Sequence, residues 1–231
     1  MNNDPKIIIA LDYPDSDAAI HLVNQLTPEL CRLKVGKELF TSAGPAIVGE
    51  IQDKGFEVFL DLKFHDIPNT VAKACEAAAR MGVWMVNVHA LGGKKMMLAA
   101  REALDKFARP PKLIAVTILT SMDEQDIAEI GLRGSAEDNV ISLAAIVKQS
   151  GVDGVVCSPK EVVHLRQKLG NDFLLVTPGV RPTGSSLDDQ KRTMTPKEAL
   201  RSGASYLVIG RPVTKADDPL AALKGICTEI L

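Results

Sequence analysis

The chain has 231 residues, 46% of them hydrophobic and 24% charged, with a formal net charge of −2. That composition supplies a large apolar core, and the near-neutral balance without a basic stripe argues against a nucleic-acid partner. The longest apolar runs are strand-sized and no charged leader precedes an apolar block at the N-terminus, so the sequence predicts no membrane span and a cytoplasmic protein.

Eight short β-rich runs follow one another, at 7–12, 31–36, 57–63, 85–90, 113–120, 154–158, 173–177 and 206–210. Amphipathic or alanine-rich stretches of helix length lie between them, among them 15–26, 70–81, 94–107 and 137–149. Strand–helix alternation argues for a parallel sheet, and eight repeats favour closure into a (β/α)8 barrel, a TIM barrel. No Pro/Ser-rich linker divides the chain, so 1–231 reads as a single domain. Glycines at 55, 82, 151, 170 and 203 each follow a helical stretch, where a helix C-terminus favours them. Ser158-Pro159 and Thr195-Pro196 read as N-caps followed by a first-turn proline. The segment 178–195 is glycine, proline, serine and charge with little apolar content; a long irregular loop after the seventh strand is a candidate lid.

The third run ends in Asp61-Leu62-Lys63-Phe64-His65-Asp66, two carboxylates and an ammonium at the close of a strand that is otherwise apolar. Alternation places Phe59, Asp61 and Lys63 on one face and Val58, Leu60 and Leu62 on the other. Burying such charges costs several kcal/mol per ion unless they are paired, whereas ligands of barrels sit at the C-terminal strand ends. The first run ends at Asp12, the second carries Lys34 opposite Leu33 and Val35, and the fifth ends at Thr120-Ser121. In a barrel, Asp12, Lys34, Asp61 and Lys63 share one mouth with alternating sign, which points to function more than to stability.

After the seventh and eighth strands come Pro178-Gly179-Val180-Arg181 and Ile209-Gly210-Arg211. Glycine lets a backbone N–H approach an anion closely and a guanidinium grips phosphate in two places, so the pair predicts a phosphate-monoester site. There is no P-loop, no GxGxxG after the first strand and no Gly-x-Ser-x-Gly elbow. The four cysteines form no CxxC pair and read as buried small hydrophobes. The four histidines lack ligand spacing: His21 and His164 read as surface residues, while His65 and His89 follow strands without an evident partner. No metal and no cofactor is predicted. Met96-Met97 and Trp84 read as packing.

Across essentially its whole length the chain resembles the bacterial orotidine 5′-phosphate decarboxylases. The most specific stretch runs from Asp61 to Thr70, supported by Ala10-Leu11-Asp12, Lys34-Val35-Gly36, Leu119-Thr120-Ser121, Thr177 to Pro182 and Ile209-Gly210-Arg211-Pro212. The resemblance implies a cofactor-independent conversion of orotidine 5′-phosphate to uridine 5′-phosphate and CO₂ in UMP synthesis. It implies catalytic roles for Lys34, Asp61, Lys63 and Asp66, with Lys63 stabilising and protonating the C6 carbanion and Asp61 beside the departing carboxylate. It further implies a homodimer in which Asp66 and Thr70 reach into the partner's site. Asp12 would bind ribose, Thr120 the pyrimidine, Gln190 both base and phosphate from the lid, and Arg181, Gly210 and Arg211 the phosphate. Two rivals bear on this. Metal-dependent sugar-phosphate lyases related to the family, 3-keto-L-gulonate 6-phosphate decarboxylase and hexulose-6-phosphate synthase, share Asp-x-Lys-x-x-Asp but carry an acidic residue where Lys34 stands, and an ammonium there would repel Mg²⁺. A non-catalytic phosphate binder would have no use for Lys63 between carboxylates.

Overall fold

A computed structural model describes residues 4–182 and 194–230. The strands are β1 (Ile7–Leu11), β2 (Cys31–Gly36), β3 (Val58–Phe64), β4 (Met85–His89), β5 (Lys112–Val116), β6 (Gly154–Val156), β7 (Leu174–Thr177) and β8 (Tyr206–Ile209). They pair in sequence order, all parallel, and β8 closes on β1 through Ile7↔Leu207 to Ile9↔Ile209. This is the eight-stranded TIM barrel that the alternation predicts. The fifth strand is the one clear correction: it stops at Val116, and Thr120 lies in the turn beyond it. The reason is its neighbour, because β6 is three residues long and offers partners only to Ile114, Ala115 and Val116.

Helices cover the barrel with apolar inner faces, and several of them start on a side-chain cap. Asp15 accepts from the Ala18 amide at 2.8 Å to start the helix Ser16–Val23, and Ser158 and Thr195 cap their segments through reciprocal contacts with Glu161 and Glu198. Even-numbered and odd-numbered positions of each strand then divide between two cores. Ile7, Ile9, Leu33, Val35, Val58 and Leu60 pack outward against helices. Ile8, Phe59, Met85, Ile114, Val176 and Tyr206 fill the barrel interior. Cys31, Cys75 and Cys157 are buried and free, and burial pushes each thiol up to about 12. Among the described residues no helix is long and apolar enough to cross a membrane.

The floor of the barrel is closed by a cation. Arg32, only 5% exposed, lies 4.0 Å from the Trp84 ring centroid and 5.3 Å from that of Tyr206. It pairs with Asp4 at 2.9 Å and Glu57 at 2.7 Å, so one side chain on β2 ties down the residues entering β1 and β3. Trp84 meets Tyr206 edge-on, with centroids 5.0 Å apart. Because this floor lies at the end opposite the charged mouth, Arg32→Ala should destabilise the fold by about 2–4 kcal/mol. It should leave substrate affinity of the folded protein unchanged. Urea unfolding combined with binding at low denaturant checks both parts.

Candidate active site

At the C-terminal strand ends the mouth collects charge from β1, β2 and β3. Lys34, 8% exposed, points inward because Leu33 and Val35 take the outward positions. Its ammonium lies 3.1 Å from Asp12 and 3.3 Å from Asp61. Lys63 donates to Asp61 Oδ1 at 2.7 Å. Asp61 is therefore the hub, with one oxygen facing each lysine. Burial alone pushes its carboxyl up, but Lys34, Lys63 and hydrogen bonds from Lys63 and Asn87 outweigh that and hold it below the usual carboxylate range. Gly36 is small for a local reason: a Cβ there would stand 3.1 Å from Lys34 Nζ and 3.4 Å from Asp12 Oδ1.

The backbone of β3 is bent to make this arrangement. Lys63 has φ +54°, the only positive φ at a non-glycine among the described residues. The pairing with β4 slips between Leu60↔Val86 and Phe64↔Val88, so Asp61, Leu62 and Lys63 face the single residue Asn87. Such a bulge re-aims side chains beside a site, and the left-handed conformation costs about 1–2 kcal/mol for an L-residue. Asn87 is fully buried; it accepts from the Lys63 amide and donates to Asp61 Oδ1, both at 2.7 Å. Asn87 was not among the residues singled out from the sequence. Its signal was a polar amide at an inward position of an otherwise apolar strand, Met85-Val86-Asn87-Val88.

Two hollows adjoin the charges. One, about 160 Å³, is lined by Lys34, Asp61, Lys63 and Thr120 on its polar side and by Ile118, Val156 and Val208 on its apolar side. The other, about 410 Å³, is lined by Asp12, Tyr13, Gly210, Arg211, Thr214 and Lys215. The Lys34–Asp12 pair stands between them, since each partner lines one hollow. Arg181 follows β7, is buried, and donates to the Val180 carbonyl at 3.1 Å. Val180 pairs with Met194 across the base of the loop, while Gln190 and most of 178–195 lie outside the described residues. A larger hollow of about 950 Å³ opens at the other end of the barrel. Its arginine, Arg101, is engaged by Asp105 at 2.8 Å and Asp153 at 3.3 Å, and nothing there resembles reaction machinery.

Asp66 and Thr70 stand apart from this cluster. Residues 65–70 are all exposed, Ile67 by 67%, and the Asp66 carboxylate takes the Ile67 amide at 2.6 Å. Pro68 opens the helix Pro68–Arg80, which fixes where Asp66 and Thr70 point. The two histidines that lacked an evident partner in the sequence have one: His65 and His89 stack with centroids 5.3 Å apart. Burial, then His65, Lys37 and Lys63, lower the His89 ring to about 4.

A model of the family described as orotidine 5′-phosphate decarboxylase / HUMPS matches residues 5–226. The chain belongs to that family. It is 60% identical over 227 residues to the orotidine 5′-phosphate decarboxylase of Saccharophagus degradans, covering 98% of this chain and 95% of the relative. It is 60% identical over 225 residues to that of Nitrosococcus oceani, covering 97% of each. Among solved structures, orotidine 5′-phosphate decarboxylase from Lactobacillus acidophilus superposes with a TM-score of 0.87 at 41% identity, over 98% of this chain and 99% of the other. An uncharacterized conserved protein from Geobacillus kaustophilus gives 0.86 at 40% identity, over 97% and 100%. The decarboxylase / HUMPS family match thus spans the charged mouth and, at the barrel floor, Arg32, Glu57, Trp84 and Tyr206.

The His89 ring carries a pH signature. In the folded chain it binds a proton only near pH 4, against about 6.5 when unfolded, so between those values the unfolded state holds the extra proton. Stability is therefore lost as pH falls through that window. A His89→Asn chain lacks this loss, so its stability relative to the parent should climb as pH drops from 6.5 towards 4. The slope should stay well below the limiting value of about 1.4 kcal/mol per pH unit, because the ring is only half-buried. Urea unfolding at several pH values measures it, and a pH-independent difference would remove the assignment.

Proposed function

We propose that this chain decarboxylates orotidine 5′-phosphate to uridine 5′-phosphate and CO₂, the step that yields UMP in pyrimidine synthesis, in the cytoplasm and without a cofactor. The observation that carries the reading is the Lys34–Asp61–Lys63 array, with the Lys63 ammonium held 2.7 Å from Asp61 and 27% exposed at the edge of a small apolar hollow. Breaking the bond from C6 to the carboxylate releases CO₂ and leaves the electron pair on C6, in the ring plane and out of reach of the π-system. A pre-placed ammonium in a poorly hydrated site opposes that charge as it develops. Lys63 then gives one N–H proton to C6, and its neutral amine regains a proton from solvent. Asp61 orients Lys63 and lies towards the departing carboxylate; Lys34 holds Asp61 and reaches Asp12, which takes the ribose.

Thr120 faces the pyrimidine, Gln190 bridges base and phosphate, and Arg181, Gly210 and Arg211 hold the phosphate. The whole chain, 1–231, acts as one barrel domain, with 178–195 as its lid on the phosphate side. Binding the phosphate far from C6 contributes energy that is used at the reacting carbon. Asp66 and Thr70 serve a second copy of the chain. This rests on their placement on the exposed stretch 65–70 beside Ile67, and on a mouth where the ammoniums of Lys34 and Lys63 share one largely buried carboxylate, Asp61, the other carboxylate, Asp12, being exposed. In the homodimer each Asp66 completes the partner's charge array.

The metal-dependent sugar-phosphate lyase reading is disfavoured by Lys34, whose ammonium stands 3.3 Å from the carboxylate that Mg²⁺ would need. The purified protein in excess EDTA should convert orotidine 5′-phosphate to uridine 5′-phosphate, followed as loss of the orotate chromophore. Activity confined to keto-sugar phosphates with Mg²⁺ would overturn the proposal. Lys63→Ala should lower kcat by at least about 10³-fold, since it removes both the field and the proton; near-normal turnover would exclude that role. Mixed Lys63→Ala and Asp66→Ala chains should recover about a quarter of normal activity, because half the dimers are hybrids and each hybrid has one intact site. No recovery after subunit exchange would remove the shared site.

A further inference from the structure

Asn87 lies inside the barrel, touches neither hollow, and makes both of its side-chain hydrogen bonds to the two residues on which the reaction depends. We propose that Asn87 is the positioning residue of the site, an amide clamp that holds Lys63 in its left-handed conformation and fixes the oxygen of Asp61 to which the Lys63 ammonium is bonded. This rests on the decarboxylase reading given above.

The bulge explains why a side chain is needed. Three residues of β3 face one residue of β4, so the Lys63 amide has no ladder carbonyl opposite it. A buried N–H left without a partner costs about 1–3 kcal/mol, on top of the left-handed backbone. The Asn87 carbonyl oxygen takes that N–H at 2.7 Å. Its NH₂ group donates at 2.7 Å to Asp61 Oδ1, the same atom that accepts from Lys63 Nζ. Backbone, carboxylate and ammonium are thereby closed into one ring of contacts. The network also fixes the amide's orientation, since the reverse would set donor against donor and acceptor against acceptor. Leucine at this position would satisfy neither group, and serine can accept from Lys63 but is too short to span both.

An aspartate offers a sharper probe. The groups facing position 87 are Asp61 and Lys63 from β3, with Lys34 of β2 behind Asp61 and His89 two residues along β4. The β5 neighbour, Ile114, carries no charge. A carboxylate introduced beside Asp61 repels it and cannot donate to it. Once protonated it becomes a near-copy of the amide, with an O–H for Asp61 and a carbonyl for the Lys63 amide. A like charge within hydrogen-bond reach makes that protonation easier.

The experiment compares wild type, Asn87→Ala, Asn87→Ser and Asn87→Asp between pH 5.5 and 8.5. Asn87→Ala should lose about 10–100-fold in kcat, as small misplacements of reacting groups do, with KM and the Kd for uridine 5′-phosphate within about threefold. Asn87→Asp should match Asn87→Ala at pH 8.5 and recover about tenfold relative to wild type as pH falls to 5.5. If Asn87→Ala does not fold, Asn87→Ser takes its place, with a smaller loss expected. Normal kcat in the truncated variant overturns the clamp, and so does an Asn87→Asp profile parallel to wild type. Hydrogen exchange of the Lys63 amide gives a readout that needs no turnover: it should speed up at least about tenfold in Asn87→Ala, and a rate unchanged from wild type would overturn the clamp. A wild type that lacks decarboxylase activity fails the functional reading alone, and the exchange rate still decides the clamp.

Discussion

One largely buried carboxylate organises the mouth of this barrel. Asp61 is taken out of water at the end of a strand, which by itself would cost several kcal/mol and push its proton affinity up. Its charge is retained because Lys34, Lys63 and Asn87 all face it, at 3.3, 2.7 and 2.7 Å. The constraint runs both ways. Lys63 meets Asp61 from two residues along the same strand, at the point where its own backbone adopts φ +54° and the β3–β4 register slips. Local strain, a broken ladder and a buried amide are thus parts of one arrangement whose outcome is an ammonium in a fixed place.

The rest of the fold makes that arrangement affordable. The apolar layer of Ile8, Phe59, Met85, Ile114 and Val176 separates the charged mouth from the floor. At the floor Arg32 is neutralised by Asp4 and Glu57 and covered by aromatic rings. β2 therefore carries two inward cations with opposite assignments, one that ties strand entrances together and one that faces the hollow. Both depend on the same alternation, in which Cys31, Leu33 and Val35 take the helix-facing side.

Much of this was legible in the residues. Eight apolar runs with helix-length spacers dictate the barrel, and the strand ends carry Asp12, Lys34, Asp61 and Lys63 in plain view because charge at the close of an apolar run is unusual. Thr120 was placed on a strand that stops at Val116, since the length of β5 is limited by the brevity of β6 and not by its own sequence. Arg32 shares the alternation that marks Lys34, yet only the three-dimensional floor distinguishes its role. Asn87 is marked only as a polar residue at an inward position of an apolar run, and neither its partners nor the left-handed Lys63 is legible: a register slip is a relation between two strands, and no local pattern in either one encodes it. The His65–His89 stack is of the same kind, a contact between two strand ends.

The central claim is that Lys63 confronts, and then protonates, a carbanion at C6. By microscopic reversibility the same group must be able to remove a proton from C6 of the product. Uridine 5′-phosphate incubated with the protein in D₂O, followed by proton NMR at C6, measures that step without the decarboxylation itself. The account predicts exchange of the C6 hydrogen for deuterium that wild type catalyses and Lys63→Ala does not. A protein that turns over orotidine 5′-phosphate but leaves the C6 hydrogen in place, or exchanges it equally well without Lys63, would contradict it.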